Sequence, residues 1–158
     1  MEFLVAEARL VELFDQLVRV EILLWNTVER RLRDDHALPL PWFEMMRVTD
    51  RLGGARVRDI AEAMTITEGG ASKVVDRVQA AGHAERQRDP ADGRSHRITL
   101  TRSGTRLLHA ATTTVEAELA ERIGAVLGPG SVDRLEATLR LLRSANLSAA
   151  PTAEQEKE

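Results

Sequence analysis

Between residues 57 and 100 the spacing of apolar residues changes from helical to alternating, and this change most constrains the fold. Val57, Ile60, Ala61 and Met64 stand at i, i+3, i+4 and i+7, which predicts a short helix. Thr65 and Ile66 form a tight link. Thr67 suits an N-cap, and Ala71, Val74, Val75 and Val78 repeat the helical spacing as a core face until Gly82 ends it. Ile98 and Leu100 then alternate with Arg97, Thr99 and Thr101, a strand pattern. "HAERQR", a weaker strand, pairs with it across the turn "DPADGR". Two short helices joined by about three residues and followed by a hairpin make a winged helix-turn-helix pattern.

Long helices flank this middle. Residues 3–36 carry Leu10, Val11, Phe14, Leu17, Val18, Trp25, Val28 and Leu32 at helical spacing, and "VEILLW" is apolar around more than one face. Pro39 and Pro41 break that helix. Pro41 opens the next from its first turn, and Gly53-Gly54 stops it. Thr101 caps a long helix from about Ser103 to Leu127, striped with Leu108, Ala111, Val115, Leu119, Ile123 and Val126. "GPGS" ends it, and Ser131 caps a last helix bearing Val132, Leu135, Leu139 and Leu142. "SAAPTAEQEKE" has no apolar periodicity and reads as a disordered tail. The expected fold is mostly α with a small β-wing. A winged helix-turn-helix over 38–102 is flanked by long N- and C-terminal dimerisation helices in 1–37 and 103–147, with a disordered tail at 148–158.

The chain carries a net charge of −3, but unevenly. Residues 51–106 hold eleven Lys/Arg against seven Asp/Glu, a basic middle between acidic flanks of the kind phosphate-binding domains have. An ordinary solvated surface gives a similar excess. Cysteine is absent, which excludes disulfides and thiolate metal sites. No secretory signal opens the chain and no apolar run reaches bilayer length, so the expected location is cytoplasmic, with no membrane partner.

The helix from Thr67 is the expected recognition helix, 67–81. Its outer face presents Gly69, Ser72, Lys73, Asp76 and Arg77. Gly69 and Gly70 let the helix start approach a DNA backbone, and the free N–H groups and positive dipole end at Thr67–Gly69 can hold a phosphate. Ser72 and Lys73 reach base edges or phosphates, and Arg77, one turn later, the backbone. A solvated helix face in any small protein has a similar composition. The order of the elements favours DNA.

"TEGGASKVVDRVQAAG" followed by "RQRDPADGRSHRITLTRSG" resembles the core of the MarR family, the multiple antibiotic resistance regulators. The resemblance rests on "SKVVDR", the Ala-Gly before the wing, the Asp-Pro-x-Asp-x-Arg tip and the Leu-Thr-x-x-Gly entry to the next helix, and it extends over 1–147 through the order of helices. Two positions depart from the family pattern: Gly93 stands where many members have a second basic residue, and Pro39 where Ser or Thr commonly caps. The resemblance implies that Arg94 enters the minor groove, that Asp92 orients its guanidinium, and that Arg86, Arg88 and Arg97, with His96, support by charge. A narrow A·T-rich minor groove attracts such an arginine. It implies a homodimer through intertwined end helices, which carry more apolar surface than the middle can cover. The wing, 83–101, and the recognition helix of each chain would then meet successive grooves roughly 34 Å apart on a near-palindromic double-stranded operator. A monomer with the end helices folded back is the competing topology. It also implies a repressor released by a small aromatic or phenolic effector held between the dimer helices and the winged domain. Trp25 and Met46 are the wall candidates, although a Trp or Met at helical spacing is most often core.

Other functions find little support. His36, His83, His96 and His109 lack metal-ligand spacing, so no metal or cofactor is expected. No Gly-rich phosphate loop or nucleophile elbow appears: "EGGASK" lacks the first Gly at the required offset and follows no strand. The chain is therefore not expected to be an enzyme. The alternative reading is a helical protein–protein interaction module without DNA binding.

Overall fold

The computed structural model describes residues 2–89 and 92–149, and for residues 2–8, 89, 92–95 and 149 the backbone alone. The elements in order are α1 (Glu2–His36), α2 (Leu40–Arg51), α3 (Val57–Met64), α4 (Glu68–Ala80), β1 (Ala84–Asp89), β2 (Asp92–Leu100), α5 (Arg102–Leu119), a π-helical turn (Ala120–Gly124) and α6 (Pro129–Ala149). They divide into two compact units, Met1–Glu118 and Leu119–Glu158.

In the first unit α2, α3 and α4 pack on one another, and α2 packs on α1, where Val28 and Leu32 are buried. The core is aliphatic. Leu32, Leu38, Met45, Met46, Ile60, Val75, Val78 and Ile98 are fully buried. Local chemistry sets the element ends. Pro39 is the N-cap of α2, where a missing N–H is harmless. The carboxylate of Glu29 accepts the Leu40 N–H and pairs with Arg33, which ties α1 to the first turn of α2. Asp59 accepts the Arg56 N–H at 2.9 Å and closes the start of α3. Thr65 ends α3 at φ 57°, an unfavourable left-handed conformation for a β-branched residue. Thr67 Oγ1 accepts the Gly70 N–H at 3.1 Å and caps α4.

Strands β1 and β2 pair antiparallel, with Ala84 opposite Leu100 and Arg88 opposite His96, and a bulge between Arg88 and Asp89. Ala55 joins the sheet as an isolated bridge to Ile98, with N···O distances of 3.0 and 2.7 Å. Arg97 Nη2 donates to the Gly54 carbonyl at 2.8 Å. The hairpin base is further held by Thr101, whose hydroxyl donates to the Gly82 carbonyl at 2.7 Å and whose Oγ1 accepts the Gly104 N–H at 3.1 Å.

Several details differ from the sequence-based expectation. Val74 is only half-buried, although its spacing put it with Ala71, Val75 and Val78 on the core face; it lies at the edge of that face, against a cleft. The helix read as Ser103–Leu127 is α-helical only to Leu119. The Ala125 N–H then bonds the Ala120 carbonyl, an i to i−5 bond. This wider turn adds a residue and rotates the apolar stripe out of register, and Val126 is 75% exposed. Ser131 lies inside α6, not at its cap, because Pro129 begins the helix. Helix α6 continues through 148–149, the first two residues of the segment read as a disordered tail; residues 150–158 lie outside the described residues.

Candidate nucleic-acid interface

The start of α4 combines an engaged cap with open space. Thr67 caps Gly70, and among the described residues no acceptor takes the N–H groups of Glu68 and Gly69, the first orphan donors of the helix. A Cβ built at Gly69 would meet nothing within 4 Å, whereas one at Gly70 would lie 3.2 Å from Thr67 Oγ1. Gly69 thus leaves room for a close partner, while Gly70 keeps the cap bond unobstructed. Glu68 in this first turn suits the helix dipole but opposes a phosphate.

Along α4, Lys73 and Arg77 are exposed and Ser72 is half-buried. On the wing Arg88 and His96 are exposed and face each other across the strands. Lys73, Arg77, Arg88 and His96 have no hydrogen-bond or ion-pair partner among the described residues. Two other wing arginines are engaged. Arg86 Nη2 donates to Asp76 Oδ1 on α4 at 2.6 Å, and Arg97 is occupied by Gly54. Sequence reasoning grouped these two with the free cations, because a charge run does not tell which members find partners inside the fold. The Asp92 and Arg94 side chains at the tip lie outside the described residues, so their pairing rests on the resemblance.

A half-open cleft of about 380 Å³ lies between α1, α2 and α4, lined by Trp25, Pro39, Pro41, Trp42, Val74 and Arg77. The Glu29–Arg33 pair closes one side. Trp25 is on the wall of this cleft. Met46 is not: it is fully buried in the core. The cleft also takes in residues that no sequence signal marked as a wall, since Glu29 and Arg33 read as an ordinary i, i+4 pair. Among the described residues no three His, Asp or Glu gather as a metal site needs, and no helix is long and apolar enough to cross a membrane.

Residues 37–95, from the entry to α2 through the wing tip, match the model described as the MarR family. This segment is a MarR-family winged helix-turn-helix. The solved structures agree on the fold over a longer stretch than the MarR-family segment. Sco3205 of Streptomyces coelicolor, a MarR-family transcriptional regulator in complex with DNA, matches with a TM-score of 0.78 at 20% identity, covering 96% of this chain and 92% of that one. AbsC, another MarR-family regulator of Streptomyces coelicolor, gives 0.77 at 19%, covering 87% and 93%. CouR of Rhodococcus jostii RHA1, bound to p-coumaroyl-CoA, gives 0.75 at 24%, covering 87% and 91%. No curated protein matches.

Proposed function

We propose that the protein is a sequence-specific double-stranded DNA-binding transcriptional regulator. The observation that carries this reading is the set of free cations, Lys73 and Arg77 on α4 with Arg88 on β1, inside the MarR-family segment, beside a helix start with unbonded N–H groups. Free cations and orphan donors together suit phosphates and base edges. In this reading α4 enters the major groove and the wing tip, with Arg94 oriented by Asp92, enters the minor groove. The DNA in the Sco3205 structure supports it by analogy of fold.

A homodimer on a near-palindromic operator is part of the proposal. Leu10, Val11, Leu13, Phe14, Leu17 and Leu23 of α1 are exposed in the single chain, as are Leu135, Leu139, Leu141 and Leu142 of α6. Soluble monomers rarely leave so many large apolar side chains of one helix in water. We assign residues 1–37 and 103–147 to dimerisation and 38–102 to DNA. The regulator acts as a repressor, released by a small aromatic anion in the cleft of Trp25, Trp42 and Arg77; the cleft volume lies within the usual range of ligand sites. The p-coumaroyl-CoA bound to CouR supports a small-molecule step.

Selection of bound sequences from random duplex DNA tests the proposal. A palindrome with half-sites about one helical turn apart is the expected product. Affinity for it should fall steeply with salt as counterions are released, and Lys73→Glu with Arg94→Glu should abolish binding. Enrichment of no sequence, or undiminished affinity in the charge-reversed protein, would leave a helical protein-binding module as the better description.

A further inference from the structure

One face of the wing changes character along its length. Antiparallel pairing sets Ala84 opposite Leu100, Arg86 opposite Ile98, and Arg88 opposite His96, all on the same face. Ala84 and Ile98 are buried in the body, and Arg88 and His96 are exposed with no partner among the described residues. Arg86 stands at the changeover. It reaches across to Asp76 on α4 with a 2.6 Å charge-assisted bond that joins residues ten apart in sequence. Apart from Glu68 in the first turn, Asp76 is the one acid of α4, and it sits exposed between Lys73 and Arg77. An acid there repels a phosphate backbone, and nothing in the packing of α4 requires it. The ion pair accounts for it.

We infer that Arg86 and Asp76 are positioning residues, which fix the wing against the recognition helix so that Lys73 and Arg88 can engage one duplex together. The inference rests on the DNA-binding reading for its purpose, but the tether itself is a property of the free protein. Arg86 then serves through Asp76, not as a phosphate contact of its own.

Asp76→Asn separates the two roles. Removing an acid from a DNA-facing helix raises affinity if charge alone matters. If the pair positions the wing, operator affinity falls by about three- to fivefold, the effect of losing a partly exposed ion pair, while affinity for random duplex does not fall. Exchanging the pair, Asp76→Arg with Arg86→Asp, should recover the operator preference relative to either single substitution, with circular dichroism verifying the fold of each variant. The chain has no cysteine, so Gln79→Cys and Gln87→Cys give two clean spin-label sites, one on each element. The label distance, measured without DNA in labelled protein diluted into unlabelled, should broaden in Asp76→Asn and narrow again in the exchanged pair. An unchanged distance distribution, or an operator affinity unchanged or raised in Asp76→Asn, overturns the inference. If the wild-type protein prefers no sequence at all, the DNA reading fails, and the spin labels still decide whether the tether exists.

Discussion

At Gly104 a single missing methyl decides how the wing is mounted. A Cβ there would stand 2.0 Å from the His83 carbonyl oxygen, a backbone atom that cannot swing away. Alanine favours a helix over glycine by about 1 kcal/mol, yet an overlap of this depth outweighs it. Gly104→Ala should destabilise the protein by about 2–4 kcal/mol, read as a lower urea midpoint. The sequence marked this glycine through the Leu-Thr-x-x-Gly pattern but gave no reason for it, because the carbonyl it makes room for is twenty-one residues away in the chain. Arg94 is the opposite case, an expectation that rests on the motif alone. Arg94→Ala should lower operator affinity about tenfold or more with unchanged thermal unfolding, and fluorescence anisotropy with labelled operator would measure it. Equal affinity would mean that the tip lies outside the groove.

The elements were legible where their causes are local. Thr67 and Pro39 act within a few residues of themselves, as does Thr101 where it caps α5 through Gly104, and each stands at an element boundary. Thr67→Ala removes one side-chain bond to Gly70 and should cost about 1 kcal/mol of stability, measurable by chemical denaturation. What periodicity could not convey was the surroundings of each face. Val74 has core spacing but borders the cleft, and Met46 has the chemistry of a ligand wall but fills the core. The π-helical turn escaped for another reason. The stripe Val115, Leu119, Ile123 continues smoothly in sequence, and no residue type announces an i to i−5 bond. Arg86 was read as a supporting charge of the wing and Asp76 as part of the outer face of the recognition helix, since their proximity exists only once the hairpin has turned back over α4.

For the whole molecule the decisive question is what covers α1. Phe14 and Leu17 are 67% and 38% exposed in the single chain, which fits an interface better than a solvated helix. Replacing both with Glu should yield a monomer by sedimentation equilibrium. Operator affinity should drop by about a hundredfold or more, as two linked half-site contacts become independent. A dimer that survives would place the interface elsewhere. The mounting of the wing also has a mechanical reading. Four attachments hold the hairpin: Thr101 to Gly82, Ala55 to Ile98, Arg86 to Asp76, and Arg97 to Gly54. All lie in its lower half. Beyond them no described side chain of the hairpin bonds to anything outside it. Among the described residues the wing is therefore clamped over the length that sets its direction, and it carries Arg88 and His96 beyond the clamp. In the DNA-binding reading, a groove that displaces the outer part of the strands works against this clamp, so little of the displacement reaches α4.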